Sequence, residues 1–308
     1  MGRHRPPIVG IGAILGLFLA IYLAGIAVLT PLLDAGIDPV TEPTDPSLGI
    51  LFVALLIFVS GGMLLIFKWG LGWLIRGFII VVSVIVSLLV FDVLIPAVVT
   101  IGGVNLMALF LAILLGLALV IHPHWYVIDL AGVVLGAGAI AMFGITLGIL
   151  PVLVLLVVLA VYDAISVYGT KHMLSLAEGA IESRLPVVLM VPTFRPADEI
   201  DPESTEEGGE MIMIGLGDAI VPGMLVAAAI AHGGGTAWVV GGLIVTPAAI
   251  GAIFGIAIGL LLLFTVLSQG GAHPGLPLLN SGAIGGYLVG ALIDGMQVME
   301  AIGLVALG

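Results

Sequence analysis

The sequence predicts an all-α, polytopic membrane protein with nine transmembrane helices, and three observations carry that prediction. Of its 308 residues, 61% are hydrophobic and only 8% are charged, where a soluble domain carries about 25% charged residues. The apolar runs are long and unbroken rather than alternating. This excludes an outer-membrane barrel and leaves the helix, which satisfies its own backbone in lipid. The seven Lys and Arg residues are confined to three places in the chain. There is no cysteine, so disulfides and thiolate metal sites are excluded. The net charge of −12 leaves no basic surface for nucleic acid.

Taken in order, apolar spans of about 20 residues fall at 8–33, 48–67, 73–95, 104–121, 127–147, 149–170, 211–231, 238–268 and 281–307. The first is too long for the roughly 7–15-residue core of a signal peptide and is read as a retained helix. The stretch 127–170 is divided at GITLGILP, because one span of that length exceeds the bilayer. Pro151 there suits the first turn of the next helix. Pro247 predicts a kink or an interfacial first turn in the eighth span. Arg3 and Arg5 precede the first span, Lys68 and Arg76 lie between the second and third, and Lys171, Arg184 and Arg195 lie between the sixth and seventh. With nine spans all of these share one side. The positive-inside rule then predicts a cytoplasmic N-terminus and an extracytoplasmic C-terminus, in a multi-pass protein of the cell membrane.

The chain reads as one integrated membrane domain in three parts: a six-helix bundle over 1–170, a flexible acidic cytoplasmic loop over 171–210, and a three-helix segment over 211–308. The end of the loop, DEIDPESTEEGGE, has seven acids in thirteen residues and is expected to be a solvated tether. The preceding LPVVLMVPTFRP is apolar, β-branched and bounded by prolines, and reads as a short strand. Glycines spaced by four, among them Gly132/Gly136, Gly144/Gly148, Gly255/Gly259 and Gly282/Gly286/Gly290, predict close helix–helix approach.

Two acids interrupt the apolar pattern. A charge at bilayer depth costs at least ~2.5–3.5 kcal/mol, so Asp218 in GLGDAIVPG and Asp163 in AVYDAISVYGTKHM call for a reason. Asp163 is eight residues before Lys171 and Asp218 eight residues after Glu210. At 1.5 Å per residue both are expected about 12 Å from the cytoplasmic ends of their helices, at one depth. Ser166 and Thr170 follow Asp163 at i+3 and i+7, giving that helix a polar face. Gly215 leaves room beside Asp218, and Pro222 lacks the N–H that would bond the Asp218 carbonyl, which predicts a bend. Paired carboxylates at short range retain one proton between them. That is the requirement of aspartic protease chemistry, in which one member takes a proton from water and the other polarises the scissile carbonyl. No metal or other cofactor is called for. The sequence also offers two candidate edges for pairing with an unwound substrate, 187–191 and 211–214. The loop strand is expected to order only when substrate binds.

These residues resemble the motifs of the presenilin and signal peptide peptidase family of GxGD intramembrane aspartyl proteases. Tyr162–Asp163 is similar to the family's YD motif and Gly215–Leu216–Gly217–Asp218 to its GxGD motif. Pro277–Leu278–Leu279 resembles the Pro-Ala-Leu motif, with Leu278 in place of Ala. The resemblance covers the whole chain, including the long loop between the sixth and seventh spans. It implies an intramembrane endopeptidase with Asp163 and Asp218 catalytic, and with Tyr162, Gly215, Leu216, Gly217, Pro277, Leu278 and Leu279 positioning the substrate. It implies transmembrane segments of other membrane proteins as substrates, met in the lipid bilayer. The predicted orientation is presenilin-like, and the absence of long hydrophilic insertions makes the chain similar to a compact, archaeal-type homologue. Self-association into a homo-oligomer is left open.

The remaining polar residues carry less. Asp92 and Asp129 lie near span ends, where interfacial water is expected to solvate them. Asp294, Gln297 and Glu300 form an i, i+3, i+6 stripe expected on the last helix. His122, His124 and His232 read as turn residues. A proton-coupled transporter or ion-leak channel could use the same acid pair, but the chain has no internal repeat of the kind such folds show. A prepilin-type peptidase shares GxGD but not the accompanying motifs.

Overall fold

The computed structural model describes residues 8–34, 45–69, 71–170, 187–192, 211–268 and 273–304. Within them the chain runs α1 (Ile8–Asp34), α2 (Pro46–Lys68), α3 (Gly72–Leu94), a hairpin of β1 (Thr100–Ile101) and β2 (Val104–Asn105), α4 (Leu106–Ile121), α5 (Trp125–Thr146) and α6 (Ile149–Ile165). A π-helical turn, Ser166–Thr170, prolongs α6. There follow β3 (Val188–Pro192), β4 (Met211–Gly215), α7 (Leu216–Ala231), β5 (Trp238–Val240), β6 (Leu243–Val245), α8 (Pro247–Leu267), α9 (Leu276–Ile293) and the short α10 (Val298–Ala301). The cationic residues Arg3, Arg5, Lys171, Arg184 and Arg195 and the acidic tether 198–210 lie outside the described residues.

Six of the described helices are long and apolar enough to cross a membrane, while Ser47–Met63, α4 and α7 are shorter apolar helices. The predicted spans divide where expected at 147–148, and Pro151 lies in the first turn of α6. Four expectations change. The seventh span is not helical from 211, because Met211–Gly215 is a strand; a five-residue apolar run serves either form. The eighth begins only at Pro247, which occupies the first turn of α8 behind Thr246, whose hydroxyl caps the Ala249 amide at 3.1 Å. The ninth starts earlier, at Leu276, and ends at Ile293. Asp294, Gln297 and Glu300 therefore share no helix: Asp294 caps α9, and its Oδ2 accepts the Thr236 amide at 2.6 Å.

Helix starts follow their local chemistry. Asp45 precedes Pro46 and accepts the Ser47 amide at 2.8 Å, an N-cap that holds its carboxyl below the usual carboxylate range. Asn105 caps α4 through Met107 and bonds the Ile95 carbonyl through its amide.

Helix α5 sits at the centre: 72% of its most apolar stretch is buried in the protein, against 17% for α3. Its glycines admit different neighbours. A Cβ on Gly144 would strike Ala227 of α7, one on Gly138 would strike Val86 of α3, and one on Gly136 would meet Ile21 of α1. One on Gly132 would meet the Leu189 side chain of β3. Helices α8 and α9 meet backbone to backbone, with Gly255 against Gly282 and Gly251 against Gly286. Lipid gives no hydrophobic drive for such pairs, so close van der Waals packing holds them.

Overpacking of this kind costs typically 1–3 kcal/mol. G255V or G282V should therefore lower stability by about that amount in detergent unfolding. G285V, where a Cβ meets nothing within 4 Å, should change it little.

Candidate active site

Asp163 lies near the end of α6, 6% exposed. Its Oδ2 accepts the Leu276 N–H at 3.1 Å, and the Gly275 N–H is directed at the same carboxyl. Leu276 is the first residue of α9, and Gly275 before it offers no side-chain cap. The first N–H groups of a helix have no partner inside it, so Asp163 supplies from α6 the acceptor that α9 lacks. The positive end of the α9 dipole favours a negative group in that position.

Asp218 is the third residue of α7 and is reached from β4 without a break. Its Oδ2 lies 3.4 Å from where a Cβ on Gly275 would stand and 3.5 Å from the same point on Gly215. The two carboxyls thus converge on one backbone turn, Gly275–Leu276, and lie close enough for the Asp163 charge to act on Asp218. Asp218 is reached through a strand and not through two turns of helix, so the residue count that placed both acids at one helical depth does not apply to it. The i+3, i+7 face below Asp163 is also interrupted, because Ser166–Thr170 is a π turn. Ser166 is buried there. Tyr168 of the same turn meets His273 Nδ1 at 3.2 Å, which ties the end of α6 to the approach of α9.

The other expected site residues separate into two groups. Gly215 adjoins Asp218, and Gly217, exposed in the first turn of α7, has open space where a Cβ would be. Leu216 instead points into the core, near the glycine faces of Gly132 and Gly136 on α5. Tyr162 is half-buried one residue before Asp163, about 100° around the helix. Pro277, Leu278 and Leu279 form the first turn of α9: the Pro277 carbonyl accepts the Ser281 hydroxyl, the Leu278 carbonyl packs on Gly259, and Leu279 is fully buried. It is the backbone just before them that reaches the acids. Gly275 and Leu276 were missed in the sequence. The available signal was a glycine preceding a proline-containing first turn, a place where unpaired N–H groups are presented.

The strands β3 and β4 pair antiparallel, with Met190 opposite Met213. Val188–Pro192 and Met211–Gly215, which overlap the two candidate edges, are both strands and pair with each other. The Leu216 amide bonds the Val187 carbonyl at 2.8 Å. Bonding alternates along an antiparallel ladder, so the backbone groups of Met190 face away from β4, and those of Met211, Met213 and Gly215 face away from β3. Val188–Val191 are buried, whereas Met213 is 41% exposed.

Elsewhere, Asp92 is exposed at the end of α3. Asp129 is not solvated as expected: it is 6% exposed and its Oδ1 accepts the Met190 N–H at 2.8 Å. His122 Nε2 meets the Tyr126 hydroxyl at 2.8 Å at the start of α5, with the His124 ring centroid 4.0 Å away and its plane tilted by 36°. His232 caps α7 and bonds the Ile145 carbonyl.

The family model of the signal-peptide peptidase and presenilin aspartyl proteases matches residues 15–296. The chain belongs to this family. Among solved structures it is similar to a presenilin family intramembrane aspartate protease in a C222 crystal form, with a TM-score of 0.68 and 31% identity over 92% of this chain and 99% of that one. A P2 form of such a protease gives a TM-score of 0.66 and 29% identity over 93% and 98% of the two chains. A comparison with curated proteins finds no match. Membership makes this a multi-pass membrane protein of an aspartyl protease family whose substrates are transmembrane segments.

A Cβ on Gly275 would stand 3.6 Å from Asp218 Cγ, within reach of disulfide geometry, and the chain has no cysteine of its own. D218C/G275C should therefore lose both thiols to mild oxidation, read by alkylation and mass, while each single variant stays fully alkylated. Two free thiols after oxidation of the pair would contradict the convergence.

Proposed function

We propose that the protein is an intramembrane aspartic endopeptidase of the GxGD type, with Asp163 and Asp218 as the catalytic dyad. The observation that carries this reading is the convergence of both carboxyls on the Gly275–Leu276 turn. Asp163, which accepts N–H bonds at a helix N-terminus, is assigned the charge, and Asp218 the shared proton, although the pair titrates as a unit. Asp163 takes a proton from water, whose oxygen attacks the scissile carbonyl carbon, while Asp218 gives its proton to the carbonyl oxygen. In the collapse Asp163 returns a proton to the departing nitrogen, the C–N bond breaks, and Asp218 recovers its proton from the hydroxyl.

A helical substrate must unwind to expose that carbonyl, and each backbone group freed in lipid costs several kcal/mol unless it is paired. Of the two edges anticipated in the sequence, β3 is covered by α5, whereas among the described residues no strand pairs with the outer edge of β4, so the substrate strand is assigned to pair with Met211–Gly215. This leads the scissile bond toward Asp218, three residues past the strand. The nine-span count, a cytoplasmic N-terminus and placement in the cell membrane complete the reading: α4 and α7, only ~24 Å long as helices, are each extended by a preceding strand. Transport through the same acids has no comparable support, because the family is proteolytic.

D163N and D218N should each reduce cleavage of a transmembrane substrate in detergent by 10²–10⁴-fold or more, with unfolding behaviour retained. The double variant should be little worse, since a dyad acts as one unit. Wild-type activity should fall on both the acid and the alkaline side, where the pair holds two protons or none. Substantial turnover by either single variant would refute the dyad.

A further inference from the structure

Asp129 takes no part in the chemistry above, yet it is a carboxylate buried in an apolar helix bundle. Its acceptor bond goes to a backbone amide 61 residues away. We infer that Asp129 is a positioning residue: its carboxylate latches β3 to α5 and thereby sets the register in which the β3–β4 hairpin presents its open edge beside Asp218.

The geometry runs as a chain of short contacts. Met190 belongs to the non-bonded pairs of the ladder, so its N–H points outward from the sheet, and Asp129 Oδ1 meets it at 2.8 Å. One turn along α5, Gly132 receives the Leu189 side chain, and Gly132 and Gly136 both lie beneath Leu216. The hairpin thus rests on α5 through apolar contacts that resist lifting but permit sliding, because leucines on a glycine face have no directional bond. The Asp129 bond is directional, and it selects Met190 among the strand amides. Met190 stands opposite Met213, and Met213 is two residues before Gly215 and five before Asp218. A slip of the hairpin by one residue moves the strand by about 3.3 Å and turns every side chain to the other face. At the active site that displaces the bound substrate by a residue.

The same bond closes the edge of β3. Without it the Met190 amide would be buried unpaired, a costly state, or would itself invite a competing strand. Asp129 therefore leaves β4 as the accepting edge. The charge is not what the latch requires; an acceptor oxygen at that point is.

The cleavage arm of the test rests on the protease reading, and the exchange arm does not. In the full-length protein in detergent, hydrogen exchange at Met190 should be as slow as at the ladder-bonded Leu189 and Val191. In D129A it should accelerate at least ten-fold, while D129N, which keeps an acceptor oxygen, should stay near wild type. With a transmembrane substrate, D129A should move or broaden the set of cleavage positions seen by mass spectrometry, and D129N should restore the wild-type set. N105A, which removes a cap on α4 remote from the hairpin, should lower the melting temperature without moving the cuts. A Met190 amide that exchanges freely in the wild type overturns the latch, whether or not D129A can be isolated. So does a D129A protein with unchanged exchange and unchanged cleavage positions. If the wild type cleaves nothing, the protease reading fails and the exchange result alone decides the latch.

Discussion

Irregular backbone inside an apolar protein must find hydrogen-bond partners, and here two buried carboxylates supply them. Asp163 accepts the first free N–H of α9, and Asp129 accepts the outward N–H of β3. Each acid satisfies a segment that helix geometry leaves unpaired, at a place where water is scarce and an orphan donor is expensive. The arrangement of the candidate site depends on these bonds. One fixes the start of α9 against α6, and the other fixes the hairpin against α5. Asp218 stands between the two fixed bodies, joined to the hairpin through Gly215 and Leu216.

Glycine on α5 makes that arrangement compact. Gly132 and Gly136 seat the hairpin and α1, Gly138 admits α3, and Gly144 admits α7, so one helix sets the distance of four neighbours. The second glycine seam, between α8 and α9, holds α9 along its length and so steadies the Leu276 amide that Asp163 uses. Packing by small residues is thus coupled to the site through α7 and α9, two of the three helices that carry its parts. Two acids held against one backbone turn are suited to share a proton, and an open strand edge leading into one of them is suited to present an extended peptide.

Much of this was legible in the residues. The long apolar runs, the break at GITLGILP and the strand in VVLMV all appear where the sequence places them, and so does the isolation of Asp163 and Asp218 in apolar surroundings. What was not legible has a common cause. MIMIG is apolar whether it is strand or helix, so hydropathy ran the seventh span through β4. Pro247 takes the first-turn place, one of its two readings, but the apolar residues 238–246 before it hid where the helix begins. The partners of Asp163 and Asp129 are backbone N–H groups 113 and 61 residues away. Every non-proline residue carries that group, so no residue type announces it. Asp129 near a span end therefore looked solvated, and Gly275–Leu276 carried no signal beyond a glycine before a proline-containing turn.

The measurement that tests the account most directly is a structure with a bound peptide in which a hydroxyl-bearing tetrahedral carbon replaces the scissile carbonyl. The account predicts that hydroxyl within hydrogen-bond distance of both Asp163 and Asp218, with the flanking backbone paired to Met211, Met213 and Gly215. A peptide whose hydroxyl meets only one acid, or whose backbone leaves the β4 edge unpaired, would contradict it.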